Sequence, residues 1–297
     1  MTIRPLAGCG TALVTPFRAD GAVDEAALRA LVEWQLAEGI HFLVPCGSTG
    51  EAATMSPDEH ARVVRITVEQ VAGRVPVVAG AGSNDTKKAI ALSRAMRDAG
   101  ATHLLHASPM YNKPQQRGIV AHFRAIAEDV DVPIVVYNVP GRTASNIEAR
   151  TALELATIPG IVAIKEASGN LGQIGDILRD RPTGFAVLSG DDPMTLPVMA
   201  LGGEGIISVV SNVTPNEMVA LVDACARGDF AAARTVHRCL LPWMSAAFVE
   251  ANPAPAKAAL AMMGRIENVL RLPLVPLAEG LGARVRSSLS AAGVVLP

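Results

Sequence analysis

Short apolar runs rich in Val and Ile recur along the first two-thirds of the chain: Gly10–Thr15, Ile40–Cys46, Val75–Ala81, Thr102–Ala107, Pro133–Asn138, Ile161–Glu166, Phe185–Ser189 and Gly205–Val210. Most are nearly continuous in apolar character. Parallel strands covered on both faces have that signature, whereas a strand with one wet face alternates. The stretches between them carry helical signals. Val23–Gly39 opens on Asp24, a good N-cap, and stops at a glycine. Ser56–Gly73 begins Ser-Pro-Asp-Glu, which puts Ser56 at the N-cap, proline at N1 and Glu59 at the N3 position of a capping box. Asn84–Gly100, Gln116–Asp129, Ile147–Ala156, Gly172–Asp180 and Asp192–Leu201 complete the series.

Strand and helix alternate throughout, at the spacing of βα units. Eight regular units favour closure into an α/β fold of the (β/α)8 TIM-barrel class, with an open doubly wound sheet as the rival. The eighth strand ends near Val210, well short of residue 297. Thr214–Arg227, Phe230–Phe248, Pro255–Met263 and Ala278–Ala292 read as further helices, punctuated by Pro253, Pro255, Pro273 and Pro276. The expected organisation is a catalytic barrel over residues 1–225 and a C-terminal helical domain over residues 226–297.

Charge and composition narrow the function classes. The formal net charge is −2, without a long basic run, and aromatic residues make up only 3% of the chain. A nucleic-acid surface needs a basic patch and stacking platforms, so none is expected. No apolar stretch reaches the ~18 residues of a membrane span, and MTIRPLAGCG lacks the apolar core of a signal peptide, so a cytoplasmic location is expected. The four cysteines, Cys9, Cys46, Cys225 and Cys239, form no C-x-x-C pair and are expected as buried, reduced thiols. His103 and His106 sit three apart on one strand-like run, and side chains that far apart face opposite sides. With no other metal-ligand spacing in the chain, no metal is expected.

In a barrel, chemistry gathers at the C-terminal ends of the strands. The second strand leads into Gly47-Ser-Thr-Gly-Glu51, where N–H and hydroxyl groups can hold an anionic oxygen, or where the chain simply turns. The third ends in Gly80-Ala-Gly-Ser-Asn84, which lacks the third glycine of a dinucleotide fingerprint and reads as a tight turn. The fourth leads to Met110-Tyr-Asn-Lys-Pro114, the fifth to Tyr137-Asn-Val-Pro-Gly-Arg-Thr143, and the seventh to Ser189-Gly-Asp-Asp192. Both tyrosines of the chain therefore fall at strand ends, for proton chemistry or to bond locally. The chain has only five lysines, and Lys165 alone ends an apolar strand, Ile161-Val-Ala-Ile-Lys-Glu166. On a regular strand it shares a face with Ile161 and Ala163, with Glu166 pointing the other way. Desolvation there favours the neutral amine, which can attack a carbonyl to form a Schiff base. A lysine paired to a carboxylate at the barrel mouth is the alternative.

Five stretches, Gly47-Ser-Thr-Gly-Glu51, Tyr111-Asn-Lys-Pro114, Tyr137-Asn-Val-Pro140, Ile164-Lys-Glu166 and Gly202-Gly-Glu-Gly205, run in order from residue 47 to residue 205, and with stretches of the tail the resemblance covers nearly the whole chain. With them the sequence resembles the pyruvate-dependent class I aldolases of the dihydrodipicolinate synthase and N-acetylneuraminate lyase superfamily. The synthase branch is the better match, because Arg142, Leu188-Ser-Gly-Asp-Asp192, Phe248–Lys257 and Leu270-Arg-Leu-Pro273 are synthase-like. The resemblance implies a barrel with a helical C-terminal domain, assembled as a homotetramer from two tight dimers, with no added cofactor. It implies that Lys165 forms a Schiff base with pyruvate and that Tyr137 is the general acid/base. Ser48 and Tyr111 complete a hydroxyl relay, Tyr111 coming from the neighbouring subunit. Thr49 holds the pyruvate carboxylate, Gly190 and Ile207 line the pocket, and Arg142 grips the carboxylate of the second substrate, L-aspartate 4-semialdehyde.

The chain departs from the synthase pattern at two places. Ser48 stands where threonine is common, which keeps the hydroxyl but is also the lyase choice. Where lysine-sensitive synthases bind lysine, the matching positions carry Pro57, Lys88 and Met110, although His60 and Asn84 remain. A cation at Lys88 repels the lysine ammonium, so feedback inhibition by lysine is expected to be weak or absent. Two other readings stay open: an aldolase of the same superfamily acting on another aldehyde or sugar acid, and a barrel that binds without turnover. The complete Lys165, Tyr137, Tyr111 and Ser48 set argues against the latter.

Overall fold

The computed structural model describes residues 6–296. Eight strands run in chain order: β1 (Gly8–Ala12), β2 (Phe42–Val44), β3 (Val78–Gly80), β4 (His103–Ala107), β5 (Ile134–Asn138), β6 (Ile161–Glu166), β7 (Ala186–Ser189) and β8 (Gly205–Ser208). All pairings are parallel, in the order β2-β1-β8-β7-β6-β5-β4-β3. The two ends of that order meet through a parallel bridge between Leu43 and Val77, so the sheet closes on itself. Each of the eight apolar runs overlaps one strand, β1 starting two residues before its run. β6 fills its run completely, and the other strands are shorter than their runs because the apolar character continues into the packed loops.

The helices are α1 (Glu25–Ala37), α2 (Pro57–Val71), α3 (Thr86–Asp98), α4 (Gln116–Asp129), α5 (Pro140–Thr143), α6 (Ala149–Leu155), α7 (Leu171–Asp180), α8 (Thr195–Ala200), α9 (Pro215–Ala226), α10 (Phe230–Ala246), α11 (Ala254–Met262) and α12 (Leu281–Ala291). The local chemistry that predicts them is present. Asp24 accepts from the Ala27 N–H, and Ser56 and Glu59 close the capping box of α2. α3 starts later than expected, because Asp85 rather than Asn84 supplies the cap. The short α5 had no signal in the apolar pattern, since one turn buries only Thr143.

Two apolar layers position the site. One fills the space between strands and helices. The other fills the barrel interior with Phe42, Val44, Leu105, Val135, Leu188 and Ile207. This interior is a plug, so ligand can enter only above it, at the C-terminal mouth. The register between β5 and β6 shifts after Ile134↔Ile161, and the next pair is Val135↔Ala163. This bulge corrects the expected face of Lys165. Ile161 packs in the outer layer, while Ala163 and then Lys165 face inward. Glu166 points out of the barrel, as expected, and accepts from Asn138, Gln173 and the Ser168 N–H.

The C-terminal helices do not form a detached appendage. α10 packs on α9 and α12, and the segment that follows returns to the barrel mouth. Residues Asn252–Leu260 are all buried. Cys9, Cys46 and Cys225 are buried free thiols, but Cys239 lies on an exposed face of α10, against expectation. Among the described residues no three His, Cys, Asp or Glu side chains cluster as metal ligands, and no helix is long and apolar enough to cross a membrane.

Candidate active site

At the mouth, β5 and β6 pair Tyr137 with Lys165 side by side. The Lys165 Nζ lies 4.1 Å from the centroid of the Tyr137 ring. Lys165 is 5% exposed and Tyr137 7%, so both polar tips are nearly out of water at the edge of the interior plug. Desolvation pulls the Lys165 ammonium down from 10.5 to about 7. The Arg142 charge adds to the drop, and Asp192 opposes it. At pH 7 about half of such an amine is neutral, against roughly one in three thousand for an ordinary lysine. The same burial pushes the Tyr137 phenol up to about 12, so it holds its proton at neutral pH.

Room for the lysine comes from the seventh strand end. A Cβ on Gly190 would stand 3.0 Å from both Cγ and Cε of Lys165 and 2.8 Å from the Cβ of Ala167. Any larger residue would displace the amine. The next strand-end carboxylate, Asp192, is 1% exposed. It accepts from the Ser208 hydroxyl at 2.5 Å and from the N–H groups of Val209 and Val210. Burial still raises it to about 6, with those hydrogen bonds opposing. The ends of β7 and β8 are thereby tied together beside the amine.

A cavity of about 40 Å³ opens over the lysine, lined among others by Ser48, Thr49, Tyr137, Arg142, Lys165 and Gly190. Six of the eight residues expected from the sequence thus meet at one cavity. Ile207 is not among its lining residues. That side chain is fully buried in the interior plug below, and Val209, two residues further along, takes the wall. Tyr111 also stays out of the cavity. It is 87% exposed and occupies left-handed backbone at φ 74°. Its loop is fixed by Asn84 donating to the Met110 carbonyl, Asn112 donating to the Asn84 carbonyl, and the Tyr111 N–H donating to Thr143. Ser48 is exposed and borders both this cavity and a second one of about 210 Å³, whose walls include His60, Met110 and Tyr137. Among the described residues no hydrogen bond joins the Ser48 and Tyr137 hydroxyls.

The lining also includes Phe248 and Asn252 from the C-terminal stretch that resembles the synthases, neither of which was expected as a site residue. Asn252 Nδ2 donates to the Thr49 hydroxyl at 2.9 Å. Five residues later, Lys257 Nζ pairs with Glu51 at 2.5 Å, and the Arg271 N–H donates to the same carboxylate at 3.0 Å.

A model of the dihydrodipicolinate synthetase family matches residues 5–292. The chain belongs to this family. A relative from Koribacter versatilis, named 4-hydroxy-tetrahydrodipicolinate synthase, is 55% identical over 98% of this chain and 97% of its own. The chloride-inhibited dihydrodipicolinate synthase of Acinetobacter baumannii, solved complexed with pyruvate, superposes with a TM-score of 0.96 at 40% identity, covering 97% of this chain and 99% of its own. The Cyanidioschyzon merolae enzyme, solved with lysine bound, superposes at 0.95 and 40% identity, covering 99% and 100% of the two chains. The family's barrel and C-terminal helices are therefore those described above.

Proposed function

We propose that this chain is a 4-hydroxy-tetrahydrodipicolinate synthase that condenses pyruvate with L-aspartate 4-semialdehyde, in lysine and diaminopimelate synthesis. The observation that carries the reading is Lys165: a desolvated amine against a protonated tyrosine, inside a small cavity with an arginine on its wall. The neutral amine adds to the ketone of pyruvate, and the Tyr137 phenol donates the proton with which water leaves. The iminium then draws electrons from the methyl carbon, which gives a proton to the Tyr137 phenolate and becomes the enamine nucleophile. That carbon bonds to the aldehyde carbon of the second substrate, whose carboxylate matches the fork of Arg142. The proton held by Tyr137 passes to the aldehyde oxygen when the new C–C bond forms. The product's own amine replaces Lys165 at the imine carbon, closing the ring and returning the free lysine. Thr49 holds the pyruvate carboxylate, and no step calls for a metal or an added cofactor.

Tyr111 completes the relay in this reading from a second copy of the chain. An aromatic residue in left-handed backbone costs on the order of 1 kcal/mol or more, a cost normally met by a function. The ring stands clear of its own subunit, and the 210 Å³ cavity beside Ser48 and Tyr137 offers a partner's ring a place to enter. A homotetramer built from two such dimers is part of the proposal. So is a cytoplasmic location, which suits four thiols without a disulfide.

A panel of aldehydes supplied with pyruvate tests the substrate assignment: aspartate 4-semialdehyde is expected to give the highest kcat/KM, and a better acceptor would transfer the activity to another aldolase. Lysine inhibition is expected to be weak. Lys88 is an exposed cation, and Met110 rather than a polar or aromatic side chain lines the cavity that His60 borders. Lysine titrated into the same assay should leave the rate above one half at millimolar concentration, and half-inhibition below that would contradict the expectation.

A further inference from the structure

We propose that Asn252 is a positioning residue, one that aims the Thr49 hydroxyl at the substrate carboxylate from the C-terminal segment. The inference rests on the reading of this cavity as a pyruvate site. A threonine hydroxyl has one proton to give and two lone pairs to receive with. Thr49 is 3% exposed, and its oxygen receives the Asn252 Nδ2–H at 2.9 Å. Among the described residues no protein acceptor takes the Thr49 proton. With one lone pair occupied by the amide, the proton is left to point into the cavity that both side chains line. A carboxylate there offers only acceptors, so a hydroxyl held as a donor is what it needs.

The barrel alone does not supply this orientation. Thr49 lies on the loop after β2, and its one side-chain partner comes from 203 residues further along the chain. What makes that distant amide a dependable reference is the lock beside it. Glu51, in left-handed backbone at φ 56° on the same turn as Thr49, is clamped by Lys257 Nζ and the Arg271 N–H. Lys257 is fully buried, donates to the Val269 carbonyl at 2.9 Å, and lies 4.1 Å over the Phe17 ring. The Arg271 guanidinium adds bonds to Glu59, the Thr54 carbonyl and the Gly21 carbonyl. The turn that carries Thr49 and the segment that carries Asn252 are thus held as one body, and a single hydrogen bond sets the direction of the clamp.

Asn252→Asp keeps the shape and reverses the polarity, because a carboxylate oxygen accepts where the amide donated. The Thr49 proton then turns to residue 252. The measurement is the rate of pyruvate-dependent borohydride inactivation against pyruvate concentration, together with steady-state KM values and melting curves. Half-saturating pyruvate should rise about tenfold, the scale of one hydrogen bond to a charged group. KM for the aldehyde at saturating pyruvate and the melting temperature should change little. Asn252→Ala, which only deletes the donor, should raise half-saturation in the same direction and serves if the aspartate variant does not fold. In a cycle with Thr49→Val, either substitution at 252 should add almost nothing once the hydroxyl is gone. Full additivity, or pyruvate saturation within about twofold of wild type, would overturn the role of Asn252. Wild-type protein that forms no pyruvate adduct on Lys165 would instead overturn the pyruvate reading, and this inference with it.

Discussion

Replacing Lys165 by alanine should lower kcat/KM by at least about 10⁴-fold and abolish pyruvate-dependent inactivation by borohydride. The magnitude follows from the role, because without the amine there is no covalent intermediate and no electron sink for the methyl proton. The variant should nevertheless fold. Lys165 Nζ makes no hydrogen bond among the described residues, and the wild-type side chain is held where its charge is poorly solvated. Alanine removes that strain along with the chemistry, so the melting temperature near pH 7 should not fall. The pH dependence carries the sign of the shift. The neutral amine is the reactive form, and its folded-state pKa of about 7 lies below the ordinary 10.5. The rate of adduct formation in the wild type should therefore drop tenfold per unit below about pH 7 and level off above it. A rate still climbing toward pH 10 would mean that the lysine is not desolvated.

Tyr137→Phe should cost about 10²–10⁴-fold in kcat, the usual reach of a positioned proton donor. The ring, which supports the amine at 4.1 Å, stays in place, so the loss reports the hydroxyl and not the packing. Pyruvate trapping should slow and not vanish, because Lys165 keeps its neutral fraction. Pre-steady-state trapping separates the two effects: slow trapping with a normal endpoint is expected. A variant with wild-type kcat would remove Tyr137 from the proton path. A wild-type phenol held at about 12 also predicts that no alkaline limb in the neutral range belongs to it.

The fold was readable because each βα unit repeats its own signals. Asp24, Ser56 and Glu59 cap where their chemistry requires, and apolar runs without alternation imply strands covered on both faces. Lys165 and Tyr137 stood out because a lysine or tyrosine at the end of such a run has no packing reason to be there. Their adjacency was not readable. It depends on the register Tyr137↔Lys165, which a bulge near Ile161 adjusts by one residue. No local pattern distinguishes a bulged strand from a regular one. Asp192 lay within a strand-end motif already noted, but its contact with Ser208 arises only when β7 and β8 pair. Asn252 and Lys257 lay in a stretch noted only for its resemblance, and their roles were the least visible. Their partners, Thr49 and Glu51, are two hundred residues away, and only the return of the C-terminal segment over the mouth brings them together. Ile207, expected at the pocket from resemblance, lies in the same interior layer as Ala12, Val44 and Leu105, which do line the cavity.

The most direct measurement is mass-spectrometric mapping of the protein after borohydride reduction with pyruvate at pH 7. The expected result is one reduced pyruvate per chain, on Lys165, with none in the Lys165→Ala variant. An unmodified Lys165, or an adduct on Lys87, Lys88, Lys113 or Lys257 in its place, would contradict the account.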